Sequence, residues 1–130
     1  MIDKVAWVRV EDGRVLGARS RGKDVYYLPG GKREPGETDL QALVREVEEE
    51  LAVVIVPGTA RHLGTFQAQA HGRPKGVVVR MTCYTADYRG TPTASNEVEE
   101  VAWLTYADRD RVSPANRAVL DHLHTTGLLP

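Results

Sequence analysis

The sequence is short of cysteine, of surplus charge and of long apolar runs, and each shortage closes off a class of protein. Cys83 is the single cysteine in 130 residues, so no internal disulfide can form and the expected compartment is the cytoplasm. Lysine and arginine (17) nearly balance aspartate and glutamate (18), which leaves a net charge of −1. No global field therefore draws the chain to a nucleic-acid polymer or an anionic membrane. No stretch approaches the roughly 18 apolar residues of a membrane-spanning helix, and no apolar segment follows a basic start at the N-terminus. The histidines, His62, His71, His122 and His124, show neither H-x-x-H nor H-E-x-x-H spacing. No Ser-His-Asp or Cys-His set, internal repeat or linker stands out, and residues 1–130 read as one domain long enough for a real core.

What is present is concentrated between Leu28 and Val53. A Pro29-Gly30-Gly31 turn leads through a polar loop into an acidic helix. Thr38 reads as its N-cap with Gln41 completing a capping box, and Asp39 suits the positive end of the helix dipole. Leu40, Leu43, Val44, Val47 and Leu51 recur at helical spacing as one apolar stripe. Glu46, Glu49 and Glu50 fall within an arc of about 100° beside that stripe. Like charges so placed repel, and a cation that favours oxygen ligands, Mg²⁺ or Mn²⁺, would offset the repulsion. A solvated acidic face is the competing reading of the three glutamates alone.

The loop that precedes them narrows the choice. The segment resembles the Nudix box: Gly, five residues, Glu, seven residues, then Arg-Glu-apolar-x-Glu-Glu-x-Gly-apolar. Gly31, Glu37, Arg45, Glu46, Val47, Glu49, Glu50 and Val53 stand at the matching positions, and Ala52 replaces the family glycine. That glycine would close the helix in a left-handed conformation, so Ala52 bears on local stability and not on ligation.

The flanking chain reads as follows. Ile2 to Val10 forms a strand with Val5 and Trp7 facing oppositely to Ala6 and Val8; residues 11–14 turn, and Val15 to Arg19 is a second strand. Ser20 to Asp24 is a polar loop, where such charges read as solvated loop residues; the functional alternative is that Arg19 or Arg21 neutralises a substrate phosphate. Val25 to Leu28 is a short strand in which one of Tyr26 and Tyr27 packs in the core and the other, Tyr27, lines a pocket. Val53 to Val56 begins a strand that Pro57-Gly58 interrupts. Ala60 to Ala70 and Val77 to Tyr88 pair as a hairpin around a tip at residues 71–76. Phe66 and Tyr84 suit core packing or stacking on a base; Arg73 and Lys75 suit a solvated tip or a phosphate. Arg89 to Glu100 is a loop, and Val101 to Leu104 a strand. Ser113-Pro114 opens a helix that turns Ala115, Ala118, Val119 and Leu123 inward and ends near Gly127.

The resemblance implies an α/β fold, the Nudix α/β/α sandwich with a mixed β-sheet between helices. It also implies Mg²⁺-dependent (or Mn²⁺-dependent) hydrolysis of a diphosphate linkage in a nucleotide. On that reading the metal ligands are Glu46, Glu49, Glu50, the Gly30 carbonyl and an acidic residue outside the box, for which Glu97, Glu99 and Glu100 are candidates and Glu97 is favoured by its distance from Trp103. Glu46 or Glu97 serves as base, and Glu37 pairs with Arg45 to brace the loop. Ser113 to Asn116 resembles a P-P-A-N segment of MutT-type enzymes, in which the asparagine bonds the purine; Asn116 occupies that place, and an ordinary first-turn asparagine is the alternative. The expected partner is a nucleotide, with no polymer or membrane, acting on a monomer or homodimer. A (deoxy)nucleoside triphosphate pyrophosphatase of the 8-oxo-dGTP type leads. An ADP-ribose or nucleotide-sugar pyrophosphatase is the alternative, and a non-catalytic binding module the third reading.

Overall fold

The computed structural model describes residues 1–130. In chain order its elements are β1 (Ile2–Trp7), β2 (Val10–Glu11), β3 (Arg14–Ser20), β4 (Gly30–Gly31), α1 (Asp39–Leu51), β5 (Val54–Ile55), β6 (Arg61–Gln69), β7 (Val78–Thr85), β8 (Tyr88–Arg89), β9 (Val98–Leu104) and α2 (Pro114–Thr125). A four-stranded sheet has the order β4-β1-β7-β6 and is mixed, because β1 runs parallel to β7 while its other pairs are antiparallel. An antiparallel sheet, β2-β3-β9, and a β5-β8 ribbon complete the α/β fold.

Alternation along β1 divides the core in two, as the sequence pattern requires. Val5 and Trp7 pack with Ala42, Leu43, Val47 and Leu51 of α1. Ala6 and Val8 pack with Val119, Leu120 and Leu123 of α2. Helices thus cover both sides of the mixed sheet. Of the apolar residues expected to face inward, Leu40, Val44 and Ala118 are only partly buried, while Ala42 and Leu120 take core positions.

Several expected elements are drawn differently. The first strand stops at Trp7; Val8 still bonds Tyr84, after which the chain crosses to the antiparallel sheet and Val10 pairs with Val15. Gly30-Gly31 is a strand against β1 and not a free turn, whereas residues 25–28 make only the isolated bridges Ala18–Tyr27 and Tyr26–Val112. β7 ends at Thr85, since Tyr88-Arg89 leaves to pair with β5, and β9 begins three residues early, at Val98. Ser113 is the N-cap of α2 but makes no capping bond; its Oγ accepts from the Asn116 amide instead.

The ends of α1 follow from its sequence. Gln41 N–H donates to Thr38 Oγ1 at 3.1 Å and Thr38 N–H to Gln41 Oε1 at 2.9 Å, a complete capping box. At the other end Ala52 adopts φ 57°, ψ 31° and its N–H reaches Glu48 O. A side chain in this left-handed region is strained. Ala52→Gly should therefore raise stability by roughly 0.5–1 kcal/mol and the melting temperature by a few degrees, with turnover unchanged. A lower melting temperature would show that the alanine contributes packing worth more than the strain. The neighbouring carbonyls are taken up by the loop that follows β8: Asn96 Nδ2 donates to Glu49 O, Ser95 N–H to Glu50 O and Thr93 N–H to Leu51 O.

Candidate active site

The site is built where the edge of the mixed sheet meets the C-terminal half of α1. β4 lies against β1 with Val5 opposite Gly31 and Ala6 opposite Gly30. Gly30 has φ +151°, and a Cβ there would lie 2.0 Å from the Val5 carbonyl oxygen. Only glycine lets the two backbones approach this closely. The approach turns the Gly30 N–H toward α1, where it donates to Glu50 Oε1 at 2.9 Å. Gly31 admits the Glu46 carboxylate: a Cβ on Gly31 would stand 2.6 Å from the carboxyl carbon.

Arg45 ties the loop to the helix. Its guanidinium donates to both oxygens of Glu37, at 2.7 and 2.8 Å, to the Lys32 carbonyl at 3.1 Å and to Glu46 Oε1 at 2.8 Å. Glu37 also accepts from the Glu34 N–H, closing the loop on itself. The Arg45 contact, with help from that N–H, holds the Glu37 carboxyl at a pKa of about 2. Such a fork fixes both direction and distance, which a lysine would not.

The three helical glutamates differ in setting. Glu49 is exposed, Glu46 is largely covered and Glu50 is partly buried. Burial pushes Glu50 up to about 8, the Gly30 N–H opposes that shift, and the neighbouring Glu46 adds to it. Burial also raises Glu46, against the pull of Arg45. Because Glu46 is turned to Arg45 and Glu50 to Gly30, no three acidic groups close around one point. The donor set still fits a hard divalent cation. It is all oxygen, carries three carboxylates on one face, and leaves the partly buried Glu50 carboxylate without an ion-pair contact, its one protein donor being the Gly30 N–H.

From Glu50 a cavity of about 400 Å³ runs past Gly30 and Gly31, between β1 and β7 on one wall and Tyr27, Leu28 and the start of α2 on the other. The sequence-selected residues meet it unequally. Tyr27 lines it, with its hydroxyl 2.9 Å from Ser20 Oγ. Asn116 lines it too, buried, but its Oδ1 accepts from the Leu28 N–H at 3.0 Å and its Nδ2 donates to Ser113 Oγ. One amide hydrogen remains for a ligand. Arg19 does not reach the cavity: Glu99, Glu100 and the Lys23 carbonyl occupy its guanidinium. Arg21 is exposed and outside the lining, and its N–H donates to the Glu97 carbonyl. Glu97 itself is exposed, and its carboxylate has no partner; Asn96 anchors its loop beside Glu49. Phe66 packs edge-on against His122, and Tyr84 donates to Asp39, so neither offers a ring to the cavity.

The cations that do line it are Lys4, Lys23, Lys32 and Arg73, against the single carboxylate of Glu50. Composition gave no sign of this local excess. One signal was in the pattern: Lys4 shares a face of β1 with Ala6 and Val8, where an ammonium interrupts an apolar run.

Comparison with known proteins adds an independent line. The family model described as "NUDIX domain" matches residues 3–123. The CTP pyrophosphohydrolase of Escherichia coli (strain K12) is 32% identical over 109 residues, which is 81% of this chain and 76% of that one. The 8-oxo-dGTP diphosphatase of the same organism is 30% identical over 98 residues, 74% and 71% of the two chains. Among solved structures, that of the E. coli ORF135 protein superposes with a TM-score of 0.75 at 28% identity, covering 98% of this chain and 93% of its own. No helix is long and apolar enough to cross a membrane.

Proposed function

Because the chain belongs to the NUDIX family of pyrophosphohydrolases, we propose that it hydrolyses a (deoxy)nucleoside triphosphate, with the phosphates at the α1 end of the cavity and the base near Asn116. The observation that carries this reading is the cavity itself. It joins Glu50 of α1 to a chamber of mixed apolar and polar lining, and its cationic side chains Lys23, Lys32 and Arg73 suit a polyanion. Two relatives whose names specify nucleoside triphosphate chemistry, CTP and 8-oxo-dGTP, point the same way.

NUDIX hydrolases generally use divalent metals. Here Glu46, Glu49, Glu50, the Gly30 carbonyl and Glu97 would hold Mg²⁺ or Mn²⁺. When bound, the cation offsets charge on the diphosphate oxygens and makes water a better nucleophile at neutral pH. The remaining work falls to the chain. Arg45 and Glu37 keep the loop seated so that Gly30 and Glu50 stay in register. Lys32 stands beside Gly31 at the cavity's charged end, where phosphate oxygens would collect. Glu46 or Glu97 takes the proton from the attacking water. Burial favours Glu46 for that task by raising its basicity; Glu97 has the carboxylate without a partner.

Phosphate release from a panel of CTP, dGTP, 8-oxo-dGTP, ATP and ADP-ribose, with and without Mg²⁺, tests the reading. A triphosphate should lead by at least tenfold in kcat/KM, and hydrolysis should require the metal; this expectation follows from the charge to be neutralised. ADP-ribose outpacing every triphosphate would replace the reading with a nucleotide-sugar class. Asn116→Ala should lower selectivity for the preferred base. It should also cost about 1–3 kcal/mol of stability, because the buried Leu28 N–H loses its acceptor. A thermal melt beside the kinetics separates those two effects.

A further inference from the structure

Lys4 lies midway along β1, opposite Met81 of β7, and its side chain belongs to the cavity lining. Strand alternation puts it on the face of Ala6 and Val8, away from Val5 and Trp7, which pack on α1. The ammonium therefore enters the chamber side of the sheet, with Met81 and Val79 beside it and Asn116 across the same cavity. It is partly buried; burial, followed by the positive charge of Lys32, lowers its pKa, and the carboxylates of Glu50 and Glu46 oppose that shift. No oxygen of the protein accepts a hydrogen bond from it; Glu50 and Glu46 attract it through space without contacting it. Glu46 is taken by Arg45, Glu50 by the Gly30 N–H and Asp3 by Arg80. A partly desolvated ammonium without a hydrogen-bond acceptor is costly unless something else supplies one.

The groups near it define what that something is. An ammonium offers three donors and no acceptor, and the Asn116 amide has one hydrogen left after its oxygen is bonded to Leu28. This wall of the chamber presents donors. Guanine carries two adjacent acceptors, O6 and N7, and cytosine carries O2 beside N3. Adenine places its amino group beside both N7 and N1, so on either edge the ammonium meets one acceptor and one donor in place of two acceptors.

We propose that Lys4 is a specificity-determining residue: its ammonium donates to the paired acceptors of a guanine- or cytosine-type base and so disfavours adenine. The assignment rests on the triphosphate reading for the direction in which the substrate lies. A base site built to satisfy a buried donor rejects the analogue that leaves it unpaired.

The test is equilibrium binding of GMP, CMP and AMP by calorimetry without added metal, on wild type, Lys4→Met, Lys4→Gln and Lys4→Arg. It is paired with kcat/KM for GTP, CTP and ATP in Mg²⁺. Wild type should bind GMP or CMP at least about tenfold more tightly than AMP. Lys4→Met and Lys4→Gln should erase that preference while AMP binding changes less than about threefold, and Lys4→Arg should retain most of it. Thermal melts confirm that the variants fold, and Lys4→Gln serves if the apolar variant does not. An equal loss for all three bases would make Lys4 a phosphate contact and overturn the proposal. So would the absence of a base preference, or of any binding, in wild type. Base-selective binding that depends on Lys4 in a protein that hydrolyses no triphosphate would keep the proposal and remove the hydrolase reading.

Discussion

Glu50→Gln should lower kcat/KM on the preferred nucleotide by at least about a hundredfold at saturating Mg²⁺, with the fold intact. Glutamine keeps the shape of the side chain and an oxygen that can accept the Gly30 N–H, so the bond that seats β4 survives. What it removes is the ionisable carboxyl best shielded from water among the three helical glutamates, the one a cation would hold in its charged form. Glu49→Gln, at the exposed position, should also remove most activity if the arc acts as one ligand set. Activity within tenfold of wild type in both variants would sink the assignment.

The same substitution has a signature without metal. The Glu50 pKa is raised from 4.5 to about 8 in the folded protein, so the folded state holds this proton more tightly than the unfolded one. Its contribution to stability is full below about 4.5 and is lost as pH rises through about 8. In chelator, Glu50→Gln should therefore melt progressively higher than wild type between pH 5 and pH 9, by an amount on the order of a few kcal/mol. A difference that stays flat with pH would mean the carboxylate is solvated in solution.

How much of this was readable from residues follows the range of the interactions. The box helix was legible because its determinants are local. Thr38 and Gln41 cap each other three residues apart, and the apolar stripe sets the buried face. The strained end at Ala52 was visible as an alanine where the family pattern has glycine. The break in the first strand was not legible, because Val8 and Arg9 satisfy strand periodicity. Their neighbours across the two sheets decide where the chain turns. Arg19 illustrates the same limit at the site. Its place beside the box makes it a candidate phosphate contact, but its carboxylate partner Glu99 lies 80 positions away. Asn116 is claimed by an amide 88 positions away. Lys4 is not legible as a cavity residue, although the alternation of β1 places it on a core face, because a single lysine reads as solvated until the cavity above it is known.

Gly30→Ala should destabilise the protein by about 3 kcal/mol or more and abolish activity together. The added Cβ would meet the Val5 carbonyl oxygen at 2.0 Å, the Ala6 Cα at 2.8 Å and the Val5 carbonyl carbon at 2.9 Å. These are backbone atoms of a strand whose neighbouring side chains are buried, so no rotamer change relieves the clash. The φ of +151° adds strain that an L side chain seldom bears. Either β4 peels from β1 or β1 shifts in the core, and both routes withdraw the Gly30 N–H from Glu50. Against a total stability of about 5–15 kcal/mol, the loss is large enough to lower the denaturant midpoint visibly. Gly58→Ala is the control: no atom lies within 4 Å of its Cβ position, so it should change stability by no more than about 0.5 kcal/mol. Equal midpoints for Gly30→Ala and Gly58→Ala would mean that β4 is not held against β1 in solution. The glycine loop would then lose its place in the site.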